Sequence, residues 1–311
     1  MSNLTLQRGQ TAVITGAASG FGLELARLAA SKGLNLVLTD VQQDALDEAV
    51  AELSATGEQT GTQVAAVRGD VSRAEDVQAL ADLCMERFGA PHIVINNAGV
   101  AHGGLIWEHT QRDWEWVLGV NLFGVVHGVR IFTPLMLAAA RKDPAFQGHI
   151  VNVASMAGLL NSPNMGAYNV SKHAVVSLSE TLYQDLALVT EQVHASVLCP
   201  YFVPTGIHMS HRNRPAEMKS EGKPTASQMI AQAMSTKAVT SGKVTAADTA
   251  QLVFDAIDKG QFYIYTHPQA LGMVQTRLED VVQGRNPTDP FAGKPEIGQQ
   301  LKTALRDAMK G

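Results

Sequence analysis

Four short apolar runs punctuate the first hundred residues: TAVIT from Thr11, LNLVLTD from Leu34, QVAAVRGD from Gln63 and HIVINNAG from His92. They do not alternate apolar with polar, so each must be covered on both faces. Between them lie GLELARLAASKG, QQDALDEAVAELSATG and SRAEDVQALADLCMERFG, all with helical spacing. Parallel strands need helical crossovers, so doubly buried strands alternating with helices leave few architectures open. Gly33, Gly57 and Gly89 stand where helix C-caps are expected. The pattern continues with helices at 113–141, 166–189 and 245–258, and strands at 148–153, 193–198 and 261–265. The expectation is one doubly wound, seven-stranded parallel α/β sheet with helices on both faces. It occupies residues 1–266, and a helical extension over 267–311 packs on it.

The stretch VITGAASGFG joins the first strand to the first helix. Gly16 suits a sharp turn, Gly20 lets backbone approach a pyrophosphate, and Gly22 allows close packing of helix and strand. The helix N-terminus then faces the phosphates. Asp40 ends the second strand, where an acid can grip the adenosine ribose hydroxyls. A carboxylate there repels a 2′-phosphate, and neither Val41 nor Ser19 is basic, so NAD is favoured over NADP. The competing reading makes Asp40 a helix N-cap with Gln43 in the capping box.

Ser155 follows the strand GHIVNVAS, and strand C-termini are where open α/β sheets bind ligands. Tyr168 and Lys172 are four apart on a helix and share a face. A free tyrosine, with pKa about 10, is a poor base near neutrality. A lysine ammonium and the positive nicotinamide of an oxidised cofactor would lower that pKa. Tyr168 could then take a proton from an alcohol while hydride leaves its carbon. Ser155 would hold the substrate oxygen.

These motifs resemble those of the short-chain dehydrogenase/reductase family, the compact branch with a TGxxxGxG turn and a Rossmann-like fold. The matching stretches are TGAASGFG at 15–22, DV at 70–71, NNAG at 96–99, Asn121 in GVNLFG, Ser155 and YNVSK at 168–172. The resemblance implies cofactor contacts from Gly16, Ser19, Gly20, Phe21, Gly22 and Asp40. It implies that Asp70 and Val71 flank the adenine and that Asn97, Ala98 and Gly99 lie along the cofactor. Asn121 would hold a water in a proton relay through Lys172, and Lys172 would bond the nicotinamide ribose. Val203 and Thr205 match residues that meet the carboxamide. Tyr201 departs from the family, which has glycine there, so the loop loses backbone freedom. The family also suggests a tetramer, or a dimer, built through helices 113–141 and 166–189.

By the same analogy the substrate pocket is lined by Trp107, Met156, Leu160, Tyr201, Phe202 and Met209, with Leu105, Leu159 and Met229 nearby. This apolar set suits a hydrophobic secondary alcohol or ketone. The insert 204–240 is long for an unstructured loop, carries a short helical patch near 225–235, and reads as a substrate lid. His208, His211, Arg212 and Arg214 within it make a poor metal site, and a solvated face or an anion contact suits them better. No metal is expected.

With a net charge of -5 the chain offers no basic field for nucleic acid. Two cysteines, Cys84 and Cys199, cannot staple a fold this large, which suggests a reducing, cytoplasmic setting. The start MSNLTLQRGQ lacks the apolar run of a signal peptide, and no segment approaches the ~20 apolar residues of a membrane span. Two alternatives stay open: an NADPH-dependent carbonyl reductase with the same catalytic residues, and a non-catalytic nucleotide-sensing protein.

Overall fold

A computed structural model describes residues 6–219 and 222–309. The first half of MSNLTLQRGQ, Met1–Thr5, and two insert positions, Ser220 and Glu221, lie outside the described residues. The strands are β1 (Thr11–Thr15), β2 (Asn35–Thr39), β3 (Val64–Ala66), β4 (Ile93–Asn96), β5 (Gly148–Val153), β6 (Val193–Cys199) and β7 (Tyr263–Tyr265). All pair in parallel in the order β3-β2-β1-β4-β5-β6-β7. The chain winds outward one way from β1 and the other way from β4. A crevice therefore opens beyond their carboxyl ends, between Thr15 and Asn96.

Each face of the sheet carries its own core. On one, Leu25 and Ala29 of α1 (Gly20–Ser31) meet Phe254 and Ile257 of α8 (Ala246–Lys259). On the other, Leu80 of α3 (Ala74–Phe88), Phe132 of α5 (Gly124–Lys142) and Leu186 of α6 (Gly166–Val189) cover Val94 and Ile150.

Several boundaries differ from the sequence reading, each for a physical reason. α2 (Gln43–Thr60) runs past Gly57 and is capped by Gly61 in the left-handed region, at φ 77°. Gly57 lies inside the helix because the Thr62 carbonyl passes 2.3 Å from where a Cβ would stand. β7 is only three residues long, starting at Tyr263 rather than 261.

The helix expected at 113–141 is α4 (Gln111–Leu118) and α5, joined by one π-helical turn, Gly119–Phe123. Thr110 and Asp113 form its capping box. This 111–142 unit is long and apolar enough to cross a membrane by length and composition, with mean hydropathy 1.6 over its best window. That corrects the expectation that no segment approaches a span, although Ile131, Phe132 and Met136 pack against the sheet.

The insert is far more ordered than a loop. It holds a 3-10 stretch, Gly206–Asn213, and a fifteen-residue helix, α7 (Ala226–Thr240), with its own capping box from Thr225 and Gln228. Beyond β7 come α9 (Leu271–Val282) and α10 (Pro295–Ala308), and α10 packs on α7.

Candidate active site

The glycine turn is built by close backbone contacts. Gly16 and Gly20 have φ of 63° and 55°, which only glycine adopts freely. A Cβ on Gly22 would stand 2.0 Å from the Gly16 carbonyl oxygen, so the first turn of α1 sits directly on the loop. The Asp40 carboxylate is buried and accepts from the Ala18 N–H at 3.1 Å and from the Gln42 N–H at 3.0 Å. The N-cap reading of Asp40 fails because α2 begins at Gln43 with Gln42 as its cap residue. Asp40 instead ties the glycine turn to the end of β2.

Thr15, which the sequence reading passed over, organises the other side. Its hydroxyl accepts from the N–H groups of Asn97 and Ala98 at 3.0 and 3.1 Å. The Asn97 amide donates to the Thr15 and Gly16 carbonyls at 2.8 and 3.0 Å. Asp70 closes a local turn, accepting from the Ser72 N–H at 2.9 Å and from its hydroxyl at 2.7 Å. Val71 packs on Gly124.

The sequence neighbours of Asp40, Val41 among them, offer it no basic residue. The fold brings in another cation: Arg68 Nε donates to the Val41 carbonyl at 3.0 Å. Arg68, Val41 and Gln42 line a small depression beside the main cavity.

At the carboxyl end of β5, Ser155 accepts from the Ala157 N–H at 3.1 Å and caps a short 3-10 turn. Lys172, 2% exposed, donates its ammonium to the Val153 carbonyl at 2.9 Å and lies 5.8 Å from the centre of the Tyr168 ring. Burial pushes the Lys172 ammonium down to about 8. Burial also pushes the Tyr168 phenol upward, with the Ser155 hydroxyl acting in the opposite sense. Desolvation therefore dominates at Tyr168, and the lysine alone does not produce the depressed phenol expected from sequence.

Asn121 sits in the π turn, fully buried. Its amide accepts from Val100 N–H at 2.8 Å and donates to the Val100 carbonyl and the Ser171 hydroxyl at 2.9 and 3.0 Å. The side chain thus pins the loop after β4 to α6. A Cβ on Gly99 would stand 3.5 Å from both Asn121 Oδ1 and Lys172 Nζ, which places this loop in ordinary contact with the two side chains.

Gly16, Ser19, Gly20 and Phe21 of the glycine turn, Asp40, Asp70, Val71, Asn97, Ala98, Gly99, Ser155, Tyr168 and Lys172 line one cavity of about 1240 Å³. Val203 and Thr205 join them, and Thr205 lies 3.4 Å from the Cβ position of Gly20. Gly22 and Asn121 stand behind the wall as supports.

Of the expected substrate contacts, Met156, Leu160, Tyr201 and Phe202 line this cavity, while Trp107 and Met209 do not. Trp107 is 70% exposed on a short 3-10 turn, Ile106–Glu108, and Met209 turns outward from the insert. Leu105, Leu159 and Met229 also lie off the lining. Tyr201 needs no glycine freedom, since Asn164 alone among the described non-glycine residues has positive φ. Its N–H donates to Thr266 at 3.0 Å and its ring lies 4.2 Å from Phe202, centre to centre.

The HMSHRNR stretch is not simply a solvated face. Arg214, whose side chain is 9% exposed, donates to buried Asp113 at 2.6 Å and to the Met218 carbonyl at 2.7 Å. His102 Nε2 lies 3.3 Å from the same carboxylate oxygen. His102, His109 and Asp113 bring ligand atoms within 4.8 Å of one another, a grouping too scattered in sequence to be foreseen. The Arg214 guanidinium already holds the Asp113 oxygen that a metal would need, so the cluster acts as a latch between insert and body. Ser210 and Ser227 add to it, accepting from Ala101 N–H at 3.0 Å and Leu105 N–H at 2.9 Å.

Comparison with known proteins points one way. A family profile described as "short chain dehydrogenase" matches residues 10–216. A crystal structure of a short-chain dehydrogenase/reductase from Burkholderia phymatum in complex with NAD is 51% identical. It superposes with a TM-score of 0.88 over 92% of this chain and 99% of that one. The "CLA biosynthesis dehydrogenase/reductase" of Lactiplantibacillus plantarum is 34% identical, spanning 86% of this chain and 92% of the relative. The "1-deoxy-11-beta-hydroxypentalenate dehydrogenase" of Streptomyces avermitilis is 34% identical over 87% of both.

Proposed function

The chain belongs to the short-chain dehydrogenase family, and from that premise we propose that it moves a hydride between NAD(H) and a hydrophobic secondary alcohol or ketone. The observation that carries this reading is the Tyr168 and Lys172 pair, half-buried and buried, facing the same cavity as the glycine turn. The cradle fits a dinucleotide: three positions that tolerate no Cβ or need positive φ, beside a buried carboxylate at the end of β2. NAD, when bound, supplies the hydride acceptor.

The chain's own residues do the rest. Asp40 is the acceptor for ribose hydroxyls, and backbone N–H groups at the start of α1 face the phosphates. Ser155 donates to the substrate oxygen. Tyr168 takes the hydroxyl proton during oxidation and returns it during reduction. The added positive charge of an oxidised cofactor would offset the desolvation that now raises the phenol. Asn121 acts by position, holding the loop after β4 against α6, with a water relay to Lys172 as its further role. The insert serves as the lid. Replacing Tyr168 by Phe should cut turnover by about 10²–10⁴-fold and spare NADH binding; undiminished turnover would remove the mechanism.

Arg68 favours a second reading, reduction with NADPH, because it puts a guanidinium beside the ribose end of the cradle. Fluorescence titration with NADH and NADPH in parallel separates the two. Tighter NADH binding supports Asp40 as the clamp, and tighter NADPH binding supports Arg68.

A further inference from the structure

The far wall of the cavity belongs to α9 and the segment that follows it. Ala270, the cap residue of α9, and Val274 on it bury themselves in the cluster that holds Met156, while Met273, Arg277 and Asp280 line the cavity. Most of the neighbouring surface is apolar, from Leu160, Tyr201 and Met273. A cation on such a wall needs a carboxylate or water. The acids there are already taken. Asp280 accepts from Arg285 Nε at 2.9 Å and from Thr288 N–H at 2.8 Å, and Asp289 accepts from Phe291 N–H at 2.9 Å. Half-buried Arg277 makes no hydrogen bond or ion pair with any described residue. It does lie close enough to His173 for the two to interact electrostatically, and His173 is five residues beyond Tyr168 on α6. It therefore stands near the catalytic helix, in a chain whose net charge is -5.

We infer that Arg277 is a substrate anchor: the cavity takes an amphipathic alcohol or ketone whose apolar body ends in a carboxylate, and the Arg277 guanidinium receives that carboxylate. A planar fork of N–H donors suits a carboxylate better than a lysine would. The inference rests on the dehydrogenase reading for what happens at Tyr168, but the anion subsite stands on its own geometry.

The test compares an alkyl secondary alcohol ending in a carboxylate with its methyl ester, each oxidised with NAD. The wild type should show a KM for the acid about tenfold or more below that of the ester. Arg277→Gln should raise the acid's KM about tenfold and leave the ester within about twofold, with Arg277→Lys between. Equal KM values for acid and ester in the wild type, or equal losses for both in Arg277→Gln, would overturn the assignment. Calorimetry with decanoate, with and without NADH, reads the subsite without turnover. Binding that weakens about tenfold in Arg277→Gln supports it even if neither alcohol is oxidised, an outcome that would instead remove the dehydrogenase reading. No decanoate binding to the wild type would overturn the subsite.

Discussion

The two walls of the cavity are made by different means. The cofactor-facing wall is backbone: the Gly16–Gly22 turn, the NNAG segment and the end of β2, locked by N–H groups to Thr15 and Asp40. The facing wall is side chain: residues from the insert and α9, held by Arg214 on Asp113, by serine hydroxyls and by α10 on α7. Backbone geometry is dictated by near neighbours in sequence and by strict spacing. Side-chain anchoring joins residues about a hundred positions apart and tolerates many solutions.

Breaking the backbone wall should cost most. Gly22→Ala puts a methyl 2.0 Å from the Gly16 carbonyl, and neither backbone can retreat without moving β1 or α1. Destabilisation of about 3 kcal/mol or more is expected, with loss of NADH binding, read by denaturant melts and by titration. Retained binding at wild-type affinity would show that the turn is more plastic than its contacts imply.

The side-chain wall should fail more locally. Arg214→Ala removes the guanidinium that donates to buried Asp113 at 2.6 Å, while Thr110 and His102 stay beside the carboxylate. Loss of about 2–3 kcal/mol is expected, concentrated in the insert as faster hydrogen exchange over 206–240, while NADH binding persists. Uniform destabilisation of the whole chain would erase the distinction between the walls.

Acid should separate them further. Buried His149 of β5, bonded to Ser196 at 2.7 Å, is held neutral, its pKa pushed down by burial to about 3. The unfolded chain then binds more protons between pH 6.5 and about 3, so stability falls as pH drops through that window, by up to about 1.4 kcal/mol per unit. Burial works against the charged form of Asp113, but bonds from His102, Thr110 and Arg214 prevail and hold its carboxyl below the usual 3.8. Its contribution is present above that value and is lost only as pH falls below it. Between pH 6.5 and 4 the sheet should weaken while the Asp113–Arg214 pair stays ionised, visible as faster exchange in β5. The smallest effect belongs to Trp107→Ala: 70% exposed and off the lining, it should change kcat/KM and stability by less than about 0.5 kcal/mol.

The legibility of the molecule follows the same division. Gly16, Gly20, Gly22 and Asp40 could be read in order because a strand, a tight turn and a helix leave little choice of residue. Gly57 misled because a helix-interior glycine forced by a crossing carbonyl looks the same in sequence as a cap. Trp107 and Met209 misled because apolar character says nothing of which way a side chain faces on a short 3-10 turn. Arg68 and Thr15 were passed over since each acts on a neighbouring strand rather than on its own.

By itself the sequence determined the seven doubly buried strands, their helical crossovers and the glycine turn, because periodicity and backbone sterics are local. It also set Tyr168 and Lys172 on one helical face. Tertiary structure alone decided that Arg214 would meet Asp113, that Arg277 would face the cavity without a carboxylate, and that burial would push the Tyr168 phenol upward. Burial and charge pairing are sums over the whole fold, and no short stretch of chain contains them.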